Sequence, residues 1–451
     1  MIAVGPKPVL IRTPTEDEPS VQARFAFAAL WSVFGAAASR GLTLVGFVLA
    51  GRLLGAARFG EVGMIQSTQG LLGVLAGGSL GLAATKYVAE HGIAGRARAE
   101  RYLALIMRIA LIAGGVGALL LAVFAEAIAA NVLYAPHLVN ELRASIGLLL
   151  FGAIGGVQTG ALAGLGEWRV LALLAILRGA CLVAALLVGI WLAGVLGAVI
   201  GLVLTEALAV AANHLVLRQL CSPTSCRGPA FRSTWHEIGG VCRFAGLAVV
   251  GSLATTLALW AGNVLLVRQP DGFAALGYFN AAERWRLLLL FLPTSVSPIV
   301  LSVLSRLHGR SDRAGYRQLL GVNLWVGAVA VLLPAAALVA LAPLAMSVFG
   351  DEYRQGAMTL AILAASAVAV VFNNLLGQVL VSKGVIWWRA ALDVLLAGVF
   401  VAVAWLAIPS WHDAGLALAH LIAYGVTAIA LIIPVVYYLR QPTGAPAPSQ
   451  E

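Results

Sequence analysis

Charge is what this sequence has least of. Asp, Glu, Lys and Arg make up 11% of its 451 residues, where a soluble domain carries about 25%. So few charges cannot clothe a water-exposed surface, which excludes a soluble globular protein of this length. Cysteine is scarce too. Cys181, Cys221, Cys226 and Cys242 form no extracellular disulfide framework. Together with His236, the last three lack the spacing of a zinc site, so no metal is expected. The ten-residue alternation of an outer-membrane barrel is missing. The first 24 residues hold no apolar core and no cleavage site, so no cleavable signal peptide is expected.

What the chain does have is long apolar runs, at 61% hydrophobic residues overall. Twelve segments are long enough to cross a hydrocarbon layer of about 30 Å. Their limits are 27–50, 60–84, 102–125, 143–165, 170–192, 195–217, 244–267, 277–304, 319–346, 357–381, 390–409 and 414–438. The expected fold is an all-α polytopic membrane protein with two six-helix bundles around a central cavity. The expected divisions are a disordered cytoplasmic tail 1–24, an N-terminal bundle 25–217, a basic cytoplasmic linker 218–243, a C-terminal bundle 244–440 and a cytoplasmic tail 441–451.

Orientation follows from the basic residues. With the N-terminus inside, the outer connections hold Arg52, Arg58, Arg143, Arg268 and Arg354, while nineteen Lys and Arg fall in the inner ones. This positive-inside bias places both termini in the cytoplasm. The surplus behind the formal charge of +10 is therefore a topology signal and a contact for anionic phospholipid, not a nucleic-acid surface. The loop from Lys86 to Arg101 is expected to lie as an amphipathic helix on phospholipid head groups.

The halves look alike. A shift of 217 residues lays Phe59-Gly60 on Leu276-Gly277 and His91 on His308; a shift of 220 lays Gln158 on Gln378 and Trp168-Arg169 on Trp388-Arg389. Each half has six spans, so the repeat is parallel, about an axis along the membrane normal.

Five arginines remain inside the spans: Arg40, Arg108, Arg178, Arg284 and Arg286. An intramembrane guanidinium costs about 3 kcal/mol to insert and marks a functional site unless it snorkels. Arg108 and Arg178 lie near the inner face, where snorkelling suffices. Arg40, Arg284 and Arg286 lie deeper. Glu283 and Arg286, three apart on one helix, can pair; Arg284 points about 100° away. Pro293 and Pro298 should bend or unwind the same span. The repeat counterparts of Glu283, Arg284 and Arg286 are Gln66, Ser67 and Gln69, so the matching N-half helix is polar but uncharged. The candidate substrate-binding residues are Arg40, Arg284, Arg286, Glu283, Gln66, Gln69 and Asn280. Glu206, near mid-depth, is either a coupling site for H+ or Na+ or an arginine's partner. No other cofactor is expected. Asn263, Asn373, Asn374 and Gln158 are expected to bridge helices.

The segments Leu49-Ala-Gly-Arg-Leu-Leu-Gly-Ala-Ala-Arg-Phe-Gly-Glu-Val-Gly-Met64, Gly78-Ser-Leu-Gly-Leu-Ala-Ala-Thr-Lys-Tyr-Val88 and Ala275-Leu-Gly-Tyr-Phe-Asn-Ala-Ala-Glu-Arg284 resemble the polysaccharide transporter branch of the multidrug, oligosaccharidyl-lipid, polysaccharide (MOP) exporter superfamily. The resemblance implies a Wzx-type flippase. Such a protein carries undecaprenyl-diphosphate-linked oligosaccharide across a bacterial inner membrane by alternating access, for O-antigen, capsule or exopolysaccharide synthesis. It would work beside glycosyltransferases and a polysaccharide polymerase. A diphosphate suits arginines at membrane depth, because guanidinium grips its oxygens in pairs. The alternatives are a multidrug or small-molecule antiporter of the same superfamily and a membrane glycosyltransferase or polymerase. An enzyme of the last kind needs a large outer loop with an acid/base set, which the short outer loops do not offer. A non-enzyme is expected.

Overall fold

A computed structural model describes residues 21–77, 80–92, 96–220, 252–309, 313–382 and 385–440. Most of the expected linker, residues 244–251 of the expected C-terminal bundle, most of the N-terminal tail, all of the C-terminal tail, and Cys221, Cys226, His236 and Cys242 lie outside these residues.

The helices are α1 (Val21–Leu75), α2 (Leu80–Gly92), α3 (Arg96–Ala127), α4 (Val139–Ala144), α5 (Ile146–Gly164), α6 (Trp168–Leu220), α7 (Ser252–Val267), α8 (Gly272–Leu289), α9 (Phe291–Gly309), α10 (Arg313–Ala340), α11 (Ala342–Ser347), α12 (Ala357–Ser382) and α13 (Ile386–Arg440). Three are far longer than one crossing of about 20 residues requires. Each is folded back at a non-helical point: Gly55 in α1 (φ 75°), Ala193-Gly194 in α6 and His412 in α13 (φ 45°). Gly55 and Gly194 have the positive φ that a residue without Cβ adopts at no steric cost. Among the described residues, seven continuous runs are long and apolar enough to cross a membrane. Counting both arms of the bent three, then α7 and the α8–α9 pair, gives about twelve passes among the described residues. Their limits follow the hydropathy segments, because length and apolarity dictate both, except at 60–84, where α1 ends at Leu75 and α2 begins at Leu80.

Helices α1–α6 form one lobe and α7–α13 the other. α1 packs on α6 within its own lobe and on α8 across the lobes. That crossing is close because it is built on glycine. A Cβ on Gly60 would strike the carbonyl of Phe273, and one on Gly277 would strike the carbonyl of Ala56. These two contacts are related by the same 217-residue shift that relates the halves.

The apolar core divides the molecule by depth. One large buried cluster draws on both lobes and gathers toward the Gly55 end, with Phe59, Phe349 and Tyr353 at its centre. The remaining clusters stay within a lobe. Leu80, Leu105 and Ile106, and Val88 with Leu217, belong to the first lobe; Val300, Leu304, Tyr316 and Leu431 belong to the second. The lobes thus share a core at one end and keep separate cores at the other.

Candidate functional site

The α8 helix presents its ionisable residues to two different surroundings, as a 100° step per residue requires. Arg286 turns into the second lobe. Its Nε donates to Glu283 Oε2 at 2.6 Å and its Nη2 to Glu283 Oε1 at 2.8 Å, while Nη1 reaches Ser366 Oγ at 3.5 Å. The side chains are only 8% and 23% exposed, so this is a bidentate pair held inside a helix bundle. His420, buried on α13, lies within electrostatic reach of both.

Arg284 turns the other way, out of its own lobe. Its Nη2 donates to Gln66 Oε1 on α1 at 2.8 Å, and its Cζ stands 3.6 Å from the centre of the Phe47 ring. Its Nε is buried without a hydrogen-bond partner. Arg40, an exposed residue on the first arm of α1, reaches the second lobe. Its Nη1 donates to Leu287 O at 3.3 Å and its Cζ lies 4.9 Å from the centre of the Phe291 ring. Leu287 belongs to the last turn of α8, whose carbonyls lack helical partners. That helix stops at Leu289 and restarts at Phe291, where Pro293 removes the N–H that would continue the ladder. By helical rise, Arg40 and Arg284 both sit about 20 Å from the Gly55 end.

Not every candidate meets at this junction. The structure brings Arg284 and Gln66 together and sets Arg40 against Leu287 and Phe291, further from the Gly55 end. It places Arg286 and Glu283 inside the second lobe, and Gln69 inside the first, where Nε2 donates to Ser145 Oγ. Asn280 presses against Gly63, where a Cβ would collide with its amide. Arg178 pairs with Glu206, which gives Glu206 the arginine partner that was one of its two expected roles. Asn263 bridges the lobes, its Nδ2 donating to Ser67 Oγ at 2.8 Å.

Behind Gln66 and Phe47 lies a cavity of about 220 Å³ in the first lobe, lined also by Ser39, Thr43, Thr205 and the Arg178–Glu206 pair. The same pair borders a larger space of about 620 Å³ between α2, α5 and α6, partly floored by Gly152 and Gly156. Ser39 and Thr43 were missed by sequence reasoning, although hydroxyls four apart in an apolar helix and flanking Arg40 were a readable signal. Among the described residues, no three His, Cys, Asp or Glu side chains cluster closely enough to hold a metal ion.

The Gly55 end is sealed by side chains that grip backbone across the lobes. Arg52 Nε donates to Val348 O at 2.7 Å, Ala56 N–H to Glu352 Oε1 at 2.9 Å, and the Tyr353 hydroxyl to Gly51 O at 3.1 Å. Arg268 donates to Val132 O at 3.1 Å and to Asn131 O at 3.3 Å.

Residues 28–305 match the family described as polysaccharide biosynthesis protein. A curated relative is the "EPS I polysaccharide export inner membrane protein EpsE" of Ralstonia solanacearum, 24% identical over 52% of this chain and 52% of its own. The chain thus spans about half the length of that relative. An outward-facing multidrug resistance MATE family transporter of the MOP superfamily superposes with a TM-score of 0.69 at 15% identity, over 92% of this chain and 95% of its own. A MOP superfamily transporter from Pyrococcus furiosus, reported with a binding pocket of reverse polarity, gives 0.70 at 14% identity over the same shares. At those identities the superpositions establish the MOP fold.

Proposed function

Since this chain belongs to the polysaccharide biosynthesis protein family, a family of membrane transporters, we propose that it flips a polyprenyl-diphosphate-linked oligosaccharide from the inner to the outer leaflet of a bacterial inner membrane. The observation that carries this reading is Arg284. It is a guanidinium rooted on α8 about 20 Å from the Gly55 end, turned out of its own lobe toward the other, with no carboxylate ion pair among the described residues and a buried donor unused. An uncompensated charge at that depth is costly, and a diphosphate supplies what it lacks. Arg40 is rooted at a similar depth on the opposite lobe, and its guanidinium points away from the Gly55 end. Gln66, Ser39 and Thr43 offer neutral polar groups beside them for sugar hydroxyls. Arg286 belongs to this reading as the residue that neutralises Glu283, so that the acid does not cancel Arg284.

Both termini are taken as cytoplasmic, on the bias of basic residues. The shared core then closes the outer side, and the space between the separate cores faces the cytoplasm, where the lipid-linked substrate is made. Exposing the site alternately to each side follows from rocking two matched lobes about the α1–α8 crossing. The Arg178–Glu206 pair is the coupling element in this reading, the site at which H+ or Na+ would act.

The test is reconstitution in liposomes with a fluorescent polyprenyl-diphosphate oligosaccharide. Arg284→Ala and Arg40→Ala are each expected to lower flipping at least tenfold, the effect of losing one charge-assisted contact of about 1.5–3 kcal/mol. Flipping that persists in the double variant, or drug export without lipid flipping, refutes the proposal.

A further inference from the structure

The two cross-lobe arginines rest on each other's lobes in a reciprocal pattern. Arg284 of the second lobe lies on Phe47 of the first, and Arg40 of the first lies on Phe291 of the second. Phe47 follows Arg40 by seven residues and Phe291 follows Arg284 by seven. Two helical turns put each Arg and Phe on one face. The first arm of α1 and the α8 helix run in opposite directions, so the two faces meet head to tail.

The pairing pulls the guanidiniums apart. Long helical side chains lean toward their helix N-terminus, which sends Arg284 toward the Gly55 end and Arg40 away from it. By helical rise, Gln66 and Phe47 bracket Arg284 about 12–16 Å from that end, while Leu287 and Phe291 bracket Arg40 at about 22–28 Å. The two cations are thus held about 10 Å apart along the membrane normal. A single diphosphate is too short to touch both while each stays on its ring. A ring offers a guanidinium only its quadrupole, whereas phosphate oxygens offer full charge and paired acceptors. The exchange therefore runs from ring to anion once an anion arrives.

We propose that Phe47 and Phe291 are positioning residues that hold Arg284 and Arg40 apart while the site is empty. The arriving diphosphate draws both guanidiniums off their rings and so breaks two contacts that hold the lobes in this arrangement. This rests on the diphosphate reading above. The substrate then acts as its own trigger, because it releases the lobes only when both arginines leave together.

The experiment measures the spacing between lobes in the full-length protein in nanodiscs. Spin labels sit on Trp191→Cys and Trp411→Cys, which are exposed at the bends of α6 and α13, with the four native cysteines replaced by Ser. The first arm needs no ligand. Progressive fluorination of the Phe47 and Phe291 rings weakens the quadrupole while keeping the shape. It is expected to raise the population opened at the Gly55 end stepwise, at least about fivefold when both rings are fully fluorinated. The combined Phe47→Leu and Phe291→Leu variant should go at least as far. An unchanged ligand-free distribution across the fluorinated series overturns the inference and leaves the flippase reading untouched. The second arm adds undecaprenyl diphosphate to the wild-type protein and is expected to produce the same opening. Binding without any change in spacing overturns the inference; absence of binding overturns the substrate reading on which it rests.

Discussion

At the scale of single residues, the two neighbouring arginines of α8 illustrate how one helical step separates structure from function. Arg286 has a carboxylate of its own, and among the described residues Arg284 is ion-paired with none. Removing one member of a buried pair leaves the other charge stranded, at a cost of about 3–5 kcal/mol, whereas removing both together is close to neutral. Glu283→Gln should therefore lower the detergent melting temperature of the protein clearly, and so should Arg286→Met. The double variant should recover most of the loss. If the double variant is as unstable as either single one, the pair is not what holds that side of α8. The pairing itself was legible in the sequence, because residues three apart on one helix share a face. That Arg284 meets Gln66 and Phe47 was not legible, because 217 and more residues separate them and only the docking of lobes makes them neighbours.

At the scale of helices, the α1–α8 crossing depends on backbone meeting backbone. Gly60→Ala or Gly277→Ala places a methyl group against a carbonyl that cannot move aside, an overpacking cost of about 1–3 kcal/mol. Each variant should loosen the Gly55 end, detected as faster labelling of a cysteine introduced at buried Val62. Labelling no faster than in the Val62→Cys parent would show that the crossing tolerates spreading. The bends were readable too: Gly55 and Ala193-Gly194 interrupt apolar runs twice too long for one crossing. A different pattern was present in the sequence and was not read. Thr359, Ser366 and Asn373 recur every seven residues on α12, and Asp413, His420 and Thr427 do the same on α13. Thr359 donates to Asp413 at 2.6 Å, and Asn373 to Thr427 at 2.8 Å, while Arg286 reaches Ser366 at the level between. Heptad spacing of small polar residues in apolar helices is the signature of parallel helices joined by hydrogen bonds. It needs both helices in view at once, which is why reading one segment at a time passes over it.

At the scale of the whole molecule, hydropathy delivered the twelve crossings because burial in lipid is a property of each segment alone. It could not tell which end of the lobes is joined, since that depends on packing between segments. The structure joins them at the Gly55 end and separates their cores at the other. A membrane-impermeant maleimide applied to inside-out vesicles should accordingly label cysteines at Ala36 and Ser295, which lie one turn further from the Gly55 end than Arg40 and Phe291. The same reagent applied to right-side-out vesicles should leave both unlabelled. The opposite pattern would place the opening on the outer side.

The contact between Gly60 and Phe273, and that between Gly277 and Ala56, are one contact written twice. A surface that meets its own counterpart through a two-fold axis is self-complementary, as in a symmetric homodimer. A six-helix polypeptide carrying only the first of these sites would already possess everything needed to dock with an identical copy. Joining two such genes end to end would preserve the dimer while freeing each half to acquire its own charges, which is the division seen here between Gln66 and Glu283, and between Ser67 and Arg284.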